Sequence, residues 1–139
     1  MSFLEDIKKM ENDRESKEES VINEITDYFT DIFNSEKYED YLKKRIAYQL
    51  DRSKKTLTLT IKYAWYSCSS KKVFECSDYE FATNDYCYKG IDFYDIQEKV
   101  CNRLSNILIN KLQSLGLEIV SEIRNDSKGY YYKEITISW

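Results

Sequence analysis

The chain is predicted to fold as an α+β domain, a three- to four-stranded, mainly antiparallel sheet with helices packed on one face, in the order αα-β-(β)-α-β-β. Three observations carry that expectation. Residues 56–66 alternate apolar and polar side chains, the period of a strand that is wet on one side only. Residues 92–115 carry apolar side chains at helical spacing between a capping aspartate and a glycine, the start and stop signals of a helix. Residues 117–139 hold two further alternating runs around a turn-forming cluster. Half-buried strands need a helical layer on one face, and the sheet's other face is then left open.

The elements follow in order. Residues 4–19 place Leu4, Ile7 and Met10 three apart and then turn wholly polar, a pattern for a solvated helix that frays at its start. From Val21 the pattern tightens. Ile22, Ile25, Tyr28, Phe29, Ile32 and Phe33 form an apolar stripe, with Glu24, Asp27 and Asp31 facing away. Asn34-Ser35 is a break, and Ser35 can cap a second segment that runs through Tyr38, Tyr41, Leu42, Ile46 and Leu50 to about Arg52. The pattern fits two helices or one bent helix equally.

In the first strand Leu57, Leu59, Ile61, Tyr63 and Trp65 share one face, opposite Thr56, Thr58, Thr60, Lys62 and Tyr66. Residues 72–76 can pair back on it as a hairpin partner, and residues 77–90 read as a long connection. Asp92 caps the third helix. Its buried stripe is Phe93, Ile96, Val100, Leu104, Ile107, Leu108 and Leu115, with Leu112 at the edge and Gly116 as the stop. Leu117, Ile119, Ser121 and Ile123 then alternate with Glu118, Val120, Glu122 and Arg124, residues 125–129 form a turn, and Tyr131, Ile135, Ile137 and Trp139 make one face of the last strand.

With 139 residues, 33% charged and 42% hydrophobic, the chain suits a single soluble domain over 1–139. Residues 1–19 can be read as a mobile acidic arm and 20–139 as the compact core. The start is too acidic for a signal peptide, and no apolar run reaches the roughly 18 residues of a membrane helix, so the expected compartment is the cytoplasm.

Charge is distributed unevenly. Residues 1–40 hold 13 Asp/Glu against 5 Lys/Arg, whereas residues 41–139 hold 12 against 16. Histidine is absent, which removes the commonest general base and the commonest metal ligand. Three glycines cannot supply a Rossmann, Walker or nucleophile-elbow loop. Cys68, Cys76, Cys87 and Cys101 lie seven, ten and thirteen residues apart with no C-x-x-C knuckle, a pattern for small buried thiols rather than zinc. The expectation is therefore a protein without catalytic residues, cofactor or metal.

Two surfaces could bind a partner. The acidic helical region offers Glu18, Glu19, Asp27, Asp31, Glu39 and Asp40, with Tyr28 and Tyr38 beside them as anchors. Repeated carboxylates imitate a row of phosphates and steer a protein toward a basic groove. Such a partner is a larger protein with a basic surface, for instance an enzyme that handles nucleic acid. The alternative is RNA or single-stranded DNA bound by Lys43, Lys44, Arg45, Lys62, Tyr66, Tyr130 and Tyr132, since aromatics on an open sheet can stack bases. A third reading is a homo-oligomeric scaffold joined through sheet edges and tyrosines. In general character the chain resembles the small, acidic, proline-free accessory proteins of phages and mobile elements in AT-rich bacteria, including inhibitors of CRISPR nucleases. That resemblance rests on composition and transfers no site residue. It implies a stoichiometric inhibitor that docks an acidic helical surface into a basic channel.

Overall fold

The computed structural model describes residues 2–65, 74–77, 80–83, 87–127 and 130–139, with side chains described outside 62–87 and 125–130. Helix α1 spans Phe3–Phe33 and α2 spans Glu36–Asp51. The predicted break is real. Ser35 caps α2 by accepting the Tyr38 N–H at 3.2 Å, and its hydroxyl donates to the Ile32 carbonyl at 2.6 Å. One serine thus satisfies groups on both sides of the corner. The start of α1 carries a capping box between Ser2 and Glu5, so helix begins at Phe3 and runs unbroken for 31 residues.

Strand β1 (Thr56–Trp65) is followed by β2 (Phe74–Ser77), β3 (Glu80–Thr83), β4 (Cys87–Tyr88) and β5 (Ile91–Asp92). Helix α3 (Phe93–Ser114) then leads to β6 (Glu118–Ser127) and β7 (Tyr130–Ser138). The α+β class and one-sided helical layer hold, and β1, β7 and β6 form the antiparallel centre. The sheet has five strands rather than three or four, in the order β2-β3-β1-β7-β6. β2 pairs with β3 and not with β1; β3 joins β1 in parallel. Residues 77–90 are therefore more than a connection. They hold β3 and β4, and β4 forms a tight hairpin with β5 on Lys89-Gly90, both at positive φ (50° and 80°), the pattern of a type I′ turn.

The core lies between the sheet and the helices. Leu57, Leu59 and Ile61 of β1 and Tyr131, Ile135 and Ile137 of β7 meet Phe93, Ile96, Val100, Leu104, Leu108 and Leu112 of α3. α1 adds Val21, Ile22, Ile25, Phe29 and Phe33, and α2 adds Tyr38 and Leu42. Leu112, expected at the stripe's edge, is fully buried, while Leu115 is the exposed helix cap.

The register of β6 departs from simple alternation. Ile119 pairs with Ile137, but Ser121 pairs with Thr136, so Val120 is an extra residue, a β-bulge. Beyond it the faces exchange. Glu122 lies opposite buried Ile135, and Ile123 lies opposite Glu134 on the open face, 48% exposed. Residues 125–127, expected in the turn, belong to β6.

α3 ends in a Schellman motif: the Leu117 N–H donates to Leu112 O at 3.1 Å and the Gly116 N–H to Gln113 O at 3.0 Å, with Gly116 at φ 87°. α2 ends the same way through Lys54 to Gln49 and Ser53 to Leu50, both 2.9 Å, but with Ser53 at φ 58°. Glycine takes this left-handed conformation without steric cost, whereas Ser53 adopts it at the expense of a Cβ clash. A Cβ on Gly116 would meet nothing within 4 Å, so Gly116→Ala isolates the backbone cost. It should destabilise by about 1 kcal/mol, and Ser53→Gly should stabilise by about 0.5–1 kcal/mol. Urea titration of the two variants checks both signs.

Candidate functional site: the acidic helical surface and its internal counter-ions

Four of the acids in α1 and α2 meet cations of the basic part of the chain. Glu18 Oε1 lies 3.0 Å from Lys99 Nζ, Glu19 Oε1 2.6 Å from Arg103 Nη2, Glu24 Oε1 2.5 Å from Lys89 Nζ, and Glu39 Oε1 2.8 Å from Lys111 Nζ. Arg103 also donates to Asn23 Oδ1 at 3.0 Å. Lys99, Arg103 and Lys111 stand at multiples of four along α3 and so form a row on one flank of that helix. Lys89 reaches Glu24 from the hairpin turn and also sits 5.2 Å from the Tyr88 ring centroid. The two charge poles of the sequence are thus, in part, partners within the fold.

The electrostatics follow. Hydrogen bonding from Lys89, with the Tyr88 hydroxyl second, holds the Glu24 carboxyl below the ordinary glutamate range. Lys111 does the same for Glu39 through its hydrogen bond and its charge. Conversely, Glu24 raises the Lys89 pKa and Glu18 raises that of Lys99. The lowered carboxyls contribute stability above the unfolded glutamate pKa of about 4.3, lost as pH falls through their depressed values. The raised lysines contribute below the unfolded pKa of about 10.4, lost as pH rises through their elevated values. A profile of Tm against pH should fall at both ends, and the double variant Glu24→Gln, Glu39→Gln should flatten the acid limb. An acid limb unchanged by that variant would rule the ion pairs out as its cause.

Of the six carboxylates singled out in the sequence, Glu18, Glu19 and Glu39 are these internal partners. Asp27, Asp31 and Asp40 are exposed and form no ion pair among the described residues. Asp27 and Asp31 stand one turn apart on the face of α1 opposite the buried Ile25 and Phe29. Glu36 and Asp40 repeat the spacing on exposed positions in the first turns of α2. Tyr38 is not a surface anchor. It is 8% exposed and packs edge-on against Phe33 at 5.2 Å and beside Tyr41 at 5.6 Å, so its place is the core. Tyr28 is half-buried, its ring edge-on to Phe29 at 5.1 Å.

The chain matches no protein-family model, no curated protein and no solved structure. The geometry therefore carries the argument by itself.

Of the residues of the nucleic-acid alternative whose side chains are described, Lys43, Lys44 and Arg45 lie on α2 and Tyr132 lies on β7. Lys43, Lys44 and Arg45 sit in the middle of α2, not at its C-terminus, and Lys43 lies one turn from Glu39. Arg52 stacks over Tyr48 at 5.5 Å. On the open sheet face, Thr58 and Thr136 hydrogen-bond through their hydroxyls at 2.9 Å, flanked by Thr60, Glu134, Ser121 and Tyr132. Tyr66 lies outside the described residues, and the side chains of Lys62 and Tyr130 likewise. The described part of this face is rich in hydroxyls and carries one aromatic ring, Tyr132. Among the described residues no group of three or more His, Cys, Asp or Glu is placed to hold a metal, and no helix is long and apolar enough to cross a membrane. Cys101 is buried in α3 with its Sγ 3.7 Å from the Tyr131 carbonyl. Cys68 and the side chains of Cys76 and Cys87 lie outside the described residues.

Sequence reasoning missed the counter-ions. The signal was there in the spacing of Lys99, Arg103 and Lys111, one row of a helix whose own first turn carries Asp95.

Proposed function

We propose that the protein is a non-catalytic binding module that presents the outer acidic face of α1 and the start of α2 to the basic groove of a larger, nucleic-acid-handling protein, and so acts as a stoichiometric inhibitor of the phage or mobile-element kind. One observation carries the reading. Once Glu18, Glu19, Glu24 and Glu39 are engaged internally, Asp27, Asp31, Glu36 and Asp40 remain as exposed carboxylates in successive turns of two rigid helices. Like charges carried on helices need no backbone ordering on binding, only that of their side chains, and their repulsion within the free protein is relieved by a cationic partner. The acids that hold the helices to α3 thus position those that face outward.

The test is an affinity capture with tagged protein from lysates of bacterial host cells, with and without nuclease treatment, repeated with the variant Asp27→Ser, Asp31→Ser, Glu36→Ser, Asp40→Ser. One nucleic-acid-binding protein should be recovered in equal amount from both lysates. The variant should lose at least about tenfold of that capture at unchanged Tm, since desolvated charge pairs across interfaces are worth 1.4 kcal/mol or more. Capture by the variant that survives physiological salt would refute the acidic-face reading. Recovery of RNA or DNA itself would shift the assignment to direct nucleic-acid binding.

A further inference from the structure

β6 ends the sheet, with β7 on one side and, among the described residues, no strand on the other. Where its backbone groups point follows from its partner. Tyr131 faces Asp126 across the β6–β7 ladder, yet its N–H donates to Gln97 Oε1 at 3.0 Å and its carbonyl accepts the Cys101 thiol at 3.7 Å. That pair therefore exchanges no ladder hydrogen bonds. In an antiparallel ladder such pairs alternate with bonded ones, so Arg124 with Lys133 and Glu122 with Ile135 exchange none either. The N–H and C=O groups of Glu122 and Arg124 are directed away from β7, toward the outer side of the sheet. The side chains of Glu122, Ile123 and Arg124 are exposed in succession, with Ile123 at 48% on the open face. An apolar side chain thus stands beside outward-directed backbone groups, the setting that an added strand completes.

We infer that β6 pairs antiparallel with β6 of a second copy of this chain, about a twofold axis through Ile123. The charges choose the register. Centred on Glu122 or on Arg124, the pairing sets a like charge against itself. Centred on Ile123, it sets Glu122 against the partner subunit's Arg124 twice over, with Ser121 against Asn125 at either end. Centring on Asn125 also opposes unlike charges, Arg124 and Asp126, but it leaves Ile123 against Ser127 instead of against its own copy. Only the Ile123 register matches charge and apolar side chain together. On the helix side of the sheet, Lys133 holds Glu122 at 2.8 Å and Glu98 holds Arg124 at 2.9 Å. Across the seam the charges then run Lys133, Glu122, the partner subunit's Arg124 and the partner subunit's Glu98, alternating in sign from one chain into the other. The seam is short, so the dimer is of the weak, reversible class.

Two measurements on the full-length protein test it. Sedimentation equilibrium over a range of concentrations should show a reversible monomer–dimer equilibrium. Glu122→Arg makes the seam wholly cationic and Arg124→Glu makes it wholly anionic, so each variant alone should dimerise at least about tenfold more weakly. Mixed in equal amounts, the two should associate as a heterodimer at least about tenfold more tightly than either does alone, which separates lost complementarity from lost fold. Ile123→Cys should form a disulfide-linked dimer under mild oxidation, above the background set by the parent chain's own cysteines. The reason is geometric: a non-hydrogen-bonded antiparallel pair holds its Cα atoms about 4.5 Å apart, within disulfide reach. A protein that stays monomeric with Ile123→Cys at background, crosslinking through Asn125→Cys in place of Ile123→Cys, or a mixture that associates no better than its components would each overturn the inference.

Discussion

Tyr131→Ala is expected to destabilise the protein by about 3–5 kcal/mol, in the range of large aromatic truncations in cores. Tyr131 is 3% exposed and is tied to α3 at every polar atom. Its N–H donates to Gln97 Oε1 at 3.0 Å, its hydroxyl donates to Asn102 Oδ1 at 2.6 Å, and its carbonyl accepts the Cys101 thiol at 3.7 Å. The Arg124 guanidinium lies 4.9 Å from the ring centroid while pairing with Glu98 at 2.9 Å. The residue stands one position beyond the last pair of the β1–β7 register, Lys62 with Tyr132. Its N–H thus takes an acceptor from the helix, which explains a buried glutamine, 5% exposed, in an otherwise apolar stripe. Tyr131→Phe separates the terms. It keeps the ring and removes the hydroxyl, and should cost about 1 kcal/mol. Equilibrium urea unfolding of both variants measures the pair, and a Tyr131→Ala cost near that of Tyr131→Phe would mean that the ring is not part of the core.

Phe29→Ala should cost a similar 3–5 kcal/mol. Phe29 is 1% exposed at the centre of the α1 stripe, between Ile25 and Phe33. The consequence reaches the proposed function, because Asp27 and Asp31 face outward only while Phe29 is seated inward. Phe29→Leu keeps most of the volume and should cost less than about 1.5 kcal/mol. Partner capture should therefore persist in Phe29→Leu and decline in Phe29→Ala in step with the folded fraction, whereas the variant with four serines loses capture without losing stability. If Phe29→Ala were to lose capture while fully folded, Phe29 itself would have to reach the partner.

Most of the fold was legible because period decides it. The stripes of α1 and α3, the Ser35 and Asp92 caps, the Gly116 stop and the inward residues of β1 and β7 follow from spacing that one buried face requires. What was not legible depended on pairing at a distance. The parallel partner of β1 lies in β3, beyond β2, and nothing in the residues 74–83 states which strand joins which. The bulge at Val120 also leaves no mark in composition. Ile119, Ser121 and Ile123 alternate as though on one face, and only the opposite strand shows that Ile123 has changed sides. At the candidate site, carboxylates were easy to count and hard to assign. Glu18 and Asp27 look alike in sequence, and the difference between a structural ion pair and an exposed charge is the presence of Lys99 on another helix. Tyr38 was misplaced for the related reason that a tyrosine at helical spacing can serve core or surface equally.

The dislocation at Val120 bears on how this molecule can grow in number. β6 is an outer strand of the sheet, and a long, regular outer strand is a template on which further copies could add without limit. The inserted residue breaks the evenly spaced row of N–H and C=O groups and increases the local twist, so an incoming strand cannot keep register across it. On that side the inserted residue divides the edge into two unequal stretches, Glu118–Ile119 and Ser121–Ser127, so a strand added along the longer one has to stop or bend at Val120.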